Sequence, residues 1–176
     1  MRIGPGAPDI SLRNGALGVR TSRRDGAGVS LVLDTRLEAI EGGRQEIERY
    51  LQPWAIGPRA LNRLEVVFEE LVSNVVRHGL DPRLDQSILV TVSADAAHIR
   101  LVVEDDGAPF DPFALAEPAT PRSLDEAVIG GLGIPVVRRM AARTVYELRP
   151  QSAAWAELVG GAGPVNRVAV TLAAGA

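Results

Sequence analysis

Apolar residues recur along the chain in two periods, and each stretch predicts an element. Val29, Leu31 and Leu33 alternate with smaller or polar neighbours, the two-residue period of a strand. Asp34 and Thr35 then offer helix-starting side chains, so a helix is expected near 36–51. Pro58 stands where a missing amide costs nothing, and Leu61, Leu64, Phe68, Leu71, Val72, Val75 and Val76 follow at helical spacing until Gly79 stops them. The β-branched runs Ile88–Val92 and Ile99–Val103, joined around Asp95-Ala96-Ala97, predict an antiparallel hairpin. A loop rich in Pro, Ala and Gly runs to about 129. Beyond it the pattern predicts a helix over about 133–143 that packs Val136, Val137 and Met140, then strands near 144–149 and 166–172.

This order predicts an α+β two-layer sandwich, a mixed and mostly antiparallel sheet with helices on one face, because one sheet face and the helix stripes must bury each other. No internal repeat is present. Residues 1–28 carry Gly4, Pro5, Gly6, Pro8, Gly15 and Gly18 and the arginine-rich run from Arg20 to Arg24, a composition expected to form a flexible tail. The globular domain is then expected over 29–176.

Composition narrows the chemistry. At 176 residues the chain fits one domain, and 46% hydrophobic with 23% charged residues is a globular balance. A net charge of -3 gives no basic field for nucleic acid. With no cysteine, disulfides, thiolate nucleophiles and cysteine zinc sites are excluded, and a metal would be oxygen-bound. No stretch approaches the ~20 apolar residues that span a bilayer, and the N-terminus lacks the apolar core of a secretory signal. The expectation is a soluble, cytoplasmic protein without membrane contact.

Three places could carry chemistry. Glu70, Asn74, Arg77 and His78 fall at i, i+4, i+7 and i+8 of the second helix, along one stripe beside its apolar face; a solvated helix face reads the same way. Asp105 shares the inward parity of Ile99, Leu101 and Val103 and ends their strand. An inward carboxylate needs a partner such as a purine amine, an arginine or a water, or it caps the turn at Gly107. Gly130-Gly131-Leu132-Gly133 delivers free amides to the start of a helix, a phosphate cradle or a simple hinge.

Taken in order, Glu70-Leu-Val-Ser-Asn74-Val-Val-Arg-His78-Gly79, Asp105-Asp-Gly107-Ala-Pro109-Phe110-Asp111-Pro112 and Gly130-Gly-Leu-Gly133-Ile134 resemble the N box and two glycine boxes of the gyrase, chaperone, histidine-kinase and mismatch-repair ATPase superfamily. The nearest branch is that of the anti-sigma serine/threonine kinases. The resemblance implies a Bergerat fold that binds ATP with Mg²⁺ and a mobile lid over 117–129. It implies that Asn74 binds Mg²⁺ through its amide oxygen, that Asp105 accepts from the adenine amine, and that Glu70 is the general base of phosphoryl transfer. It extends nucleotide contact to Arg77, His78, Gly107, Pro109, Phe110, Gly130, Gly131, Leu132, Gly133 and Ile134.

As partners it implies a sigma factor and a small STAS-type antagonist whose serine is phosphorylated, with a homodimer left open. Two departures stand out. Ala127-Val128-Ile129 is apolar where kinase members often carry a basic residue, with Arg122 the nearest lid cation, and the connection over 150–164 is longer than a hairpin. The first departure keeps an alternative in view: a nucleotide-dependent binding module with little kinase activity that regulates a phosphatase or response regulator.

Overall fold

A computed structural model describes residues 18–114 and 133–175. The elements in chain order are β1 (Val19–Asp25), β2 (Gly28–Leu33), α1 (Ala39–Leu51), α2 (Pro58–Asn74), β3 (Ile88–Ala94), β4 (His98–Asp105), α3 (Gly133–Met140), β5 (Arg143–Pro150), α4 (Ala153–Leu158) and β6 (Pro164–Ala173). The six strands make one sheet in the order β1-β2-β3-β4-β6-β5. Every pairing is antiparallel, so the expected mixture resolves to one orientation. The α+β two-layer arrangement is as expected.

The core follows from strand parity. Leu31 and Leu33 of β2, Ile88, Val90 and Val92 of β3, Ile99, Leu101 and Val103 of β4, and Val168, Val170 and Leu172 of β6 all bury on one face. The stripes of α1, α2 and α3 cover that face through Ile47, Leu51, Leu64, Phe68, Leu71, Val72 and Val137. Burying an apolar side chain of this size contributes roughly 1.5–3 kcal/mol. α2 starts after Gly57, which is in extended conformation, with Pro58 in its first turn.

Two parts of the chain depart from expectation. Part of the stretch expected as tail is structured: Val19–Asp25 pair with β2 as an edge strand. The turn is made by Asp25, whose Oδ1 accepts from the backbone N–H of Ala27 at 2.8 Å and of Gly28 at 3.1 Å. The 150–164 connection holds α4, which packs on the opposite face of the sheet. There Trp155, 1% exposed, meets Val32, Leu89 and Val165 in a small second core. Ser152 caps α4 by accepting from the Trp155 N–H at 3.1 Å, and its hydroxyl donates to the buried Glu104 at 2.8 Å.

Candidate functional site

The site lies where the end of α2 meets the ends of β4 and β6. α2 does not stop at Asn74 but changes winding: Val75–Gly79 form a π-turn, with the Leu80 N–H donating to the Val75 carbonyl at 3.2 Å. The extra residue in this turn resets the phase on which the stripe Glu70, Asn74, Arg77, His78 was built. Asn74 lines the cleft, Glu70 one turn earlier lies against Gly133 at the start of α3, and Arg77 and His78 are exposed and do not line the cleft. Of the expected four-residue lip, Asn74 alone is among the residues that line the cleft.

Gly79 then meets the loop after β4. Its carbonyl accepts from the Ala108 N–H at 3.1 Å, and Gly107 lies so close that a Cβ there would collide with the Gly79 oxygen. Gly107 is glycine because one backbone approaches another at this point.

Asp105 ends β4 pointing inward, 5% exposed. Its Oδ1 accepts from the Gly107 N–H at 3.0 Å and from Asn166 Nδ2 at 2.9 Å, while among the described residues no donor reaches Oδ2. The turn-capping alternative holds for one oxygen, and the other has no donor among the described residues. Burial pushes the Asp105 carboxyl above the usual carboxylate range; the bonds from Asn166 and Gly107 pull it back, and the neighbouring Asp106 charge raises it further.

Sequence reasoning missed Asn166, the most connected polar side chain of the site. From β6 its amide nitrogen donates to Asp105, to the Gly107 carbonyl at 3.3 Å and to the Ala108 carbonyl at 3.1 Å. Its oxygen accepts from the Phe110 N–H at 3.3 Å and the Tyr146 hydroxyl at 2.8 Å. The signal that could have found it is parity: Asn166 is the polar member of the inward set Val168, Val170 and Leu172.

On the other side, α3 starts against Glu70. A Cβ on Gly133 would collide with the Glu70 carboxylate, so this glycine lets the acid lie on the helix start. Ile134 packs against the core, and Arg138 donates to the Phe113 carbonyl and stacks over the Phe113 ring at 5.9 Å, clipping α3 to the loop after β4. Phe110 is exposed at the cleft mouth and Pro109 is exposed beside it. Gly130, Gly131, Leu132 and the lid expected over 117–129 lie outside the described residues. The cleft is lined by Leu71, Asn74, Gly79, Asp105, Phe110 and Asn166 among others and holds about 20 Å³, room for a water in this conformation.

The family model of the histidine kinase-like ATPase domain matches residues 33–154, more than half of the chain. The chain belongs to this family. The histidine kinase-like ATPase match covers α1, α2, β3, β4 and the cleft residues other than Asn166 and Val168. A curated relative, the serine/threonine-protein kinase BtrW of Bordetella bronchiseptica, is 30% identical over 86 residues, 49% of this chain and 61% of the relative. The match thus spans less than two thirds of that protein. A solved structure, the histidine kinase domain of the Erythrobacter litoralis EL346 blue-light activated histidine kinase, matches with 15% identity over 65% of this chain and 45% of that one. Its TM-score of 0.38 is too loose to carry an argument. Membership in the family brings an ATP-binding domain. No helix among the described residues is long and apolar enough to cross a membrane.

Proposed function

We propose that the chain is an ATP-dependent serine/threonine kinase of the anti-sigma type, which holds a sigma factor and phosphorylates a serine on a STAS-type antagonist. The observation that carries this reading is Asp105, a buried carboxylate whose Oδ1 is held by Asn166 and Gly107 while Oδ2 is left to accept from the adenine amine. The serine/threonine kinase named among the relatives supports the choice of branch.

The residues fit a nucleotide. Purine recognition needs an acceptor for the exocyclic amine, and a backbone kept free of side chains at Gly107 and Gly133 lets phosphates and loop approach. Admitting the base requires the Ala108–Pro112 side of the cleft to open from its present width. Among the described residues no cluster of His, Asp and Glu forms a metal cage, which suits Mg²⁺ held by phosphates, waters and the Asn74 amide oxygen. That ion, when bound, neutralises charge on the phosphates.

Glu70 is the general base. It accepts the serine hydroxyl proton as the hydroxyl oxygen bonds to the γ-phosphorus and the bond to the bridging oxygen breaks, releasing ADP. Gly133 keeps the carboxylate free of steric obstruction at the start of α3. The apolar Ala127-Val128-Ile129 favours a second reading, a binding module that responds to ATP without transferring phosphate. Incubation with purified STAS-type antagonists and γ-labelled ATP separates the two. Acid-stable phosphoserine on the antagonist is expected, and nucleotide binding without transfer to a proven antagonist would establish the binding module instead.

A further inference from the structure

Among the described residues, the face of the sheet away from the cleft is covered at one end. α4 shields Val32, Leu89 and Val165, while the rest of β4, β6 and β5 carries no helix among the described residues. Strand register sets out that open end in rows. Arg100 and Arg143 both pair with Thr171, Val102 and Val145 both pair with Ala169, and Glu104 and Glu147 both pair with Arg167. Because β6 lies between β4 and β5, Arg100 and Arg143 stand two strand spacings apart, about 9.5 Å at the backbone. Four residues along β6 separate their row from that of Arg167, roughly 13 Å.

The result is a trough of about 250 Å³ walled by Arg100, Arg143, Arg149 and Arg167. Val145 and Ala169 are its apolar lining residues, and charged and polar side chains make the rest of the wall. The arginines are not equivalent. Arg167 is engaged, its guanidinium 3.1 Å from Glu147 and 3.9 Å from Glu104, and Arg149 lies 3.6 Å from Glu147. Arg100 and Arg143 are exposed and make no ion pair among the described residues. On a chain of net charge -3, two such cations across one threonine concentrate positive charge against the average.

The geometry points to this trough as the docking surface for an acidic segment of a partner protein, its carboxylates between Arg100 and Arg143 and a small side chain over Val145 and Ala169. Charge complementarity selects the sign of the occupant, and arginine is suited to carboxylate because its planar fork bonds both oxygens. The Glu147 carboxylate in the wall selects a protein segment over nucleic acid. A phosphate backbone calls for a longer run of cations and would be repelled by Glu147. The trough and the nucleotide cleft open on opposite faces of the sheet, so occupancy of one leaves the other accessible.

The test uses the full chain, isotopically labelled, and a capped peptide in which two adjacent glutamates precede valine and alanine. Its controls are the same peptide with lysines for the glutamates and a deoxythymidine decamer. The expected result is amide shifts at Arg100, Arg143, Val145, Ala169 and Thr171 with Gly107 and Ala108 unmoved, from the acidic peptide alone, weakening as salt is raised. Arg100→Glu with Arg143→Glu should lower the affinity at least about tenfold, as expected where like charges meet. Arg59→Glu on α2 should leave it unchanged, and superimposable unfolding curves establish that both variants are folded. The proposal is overturned by equal binding of the lysine peptide, by tighter binding of the decamer, by shifts mapping elsewhere, by affinity that survives the double reversal, or by no shifts at millimolar peptide.

Discussion

The side-chain amide of Asn166 holds Asp105 Oδ1 at 2.9 Å across the β4–β6 ladder, where the two residues are direct cross-strand partners. The same nitrogen also holds the Gly107 and Ala108 carbonyls, so one β6 side chain fixes both the carboxylate and the loop that follows it. Asn166→Ala should cost about 1–3 kcal/mol of stability, since it strands a buried carboxylate and backbone groups together. Urea denaturation checks the stability, and calorimetric titration should show ATP affinity falling with it. Tyr146→Phe removes one of these bonds and should cost about 1 kcal/mol or less.

Asp105→Asn should abolish nucleotide binding while making the protein more stable at neutral pH. The folded-state value of Asp105 is raised by burial, so between the ordinary carboxylate range and that raised value the folded protein binds more protons than the unfolded chain. Its contribution to stability is therefore complete at low pH and is lost as pH rises through the raised value. The asparagine removes that loss. Thermal unfolding across pH should show the variant above the parent at pH 7, by about 2–4 °C for each kcal/mol recovered, with the gap closing in acid.

Gly107→Ala and Gly133→Ala should differ, although a Cβ collides at both. At Gly107 the obstacle is the Gly79 carbonyl, a backbone atom that cannot turn aside, and overpacking of this kind costs about 1–3 kcal/mol. At Gly133 the obstacle is the end of the flexible Glu70 side chain, so stability should hold while phosphoryl transfer falls. Denaturation curves and single-turnover transfer on the two variants check both halves.

Glu70→Gln should leave ATP affinity nearly intact and slow transfer to the antagonist by about a hundred- to ten-thousand-fold, because an amide of the same shape cannot accept the hydroxyl proton. Equal transfer rates would remove Glu70 from the chemistry.

The sequence made some of these relationships legible and hid others for physical reasons. α2 was readable because Pro58 and the apolar spacing act locally, and Asp105 because strand parity alone turns it inward. Arg77 and His78 fall outside the cleft lining because a helical wheel assumes one winding, and the π-turn breaks that assumption midway. β1 was hidden by arginines that read as tail, although Asp25-Gly26 before an alternating run is a hairpin signal. Asn166 acts on a partner 61 residues away, so neither residue announces the other until the β4–β6 register is known.

The position of Trp155 bears on how the protein can be watched. Of the chain's two tryptophans, Trp155 projects from α4 into the far face of the sheet, and Trp54 sits beside Tyr50 at the end of α1, with ring centroids 6.4 Å apart. Neither lines the cleft. Intrinsic emission is therefore optically remote from a bound purine: a change in it on adding ATP would register displacement carried through the strands, and a silent titration would say nothing against binding.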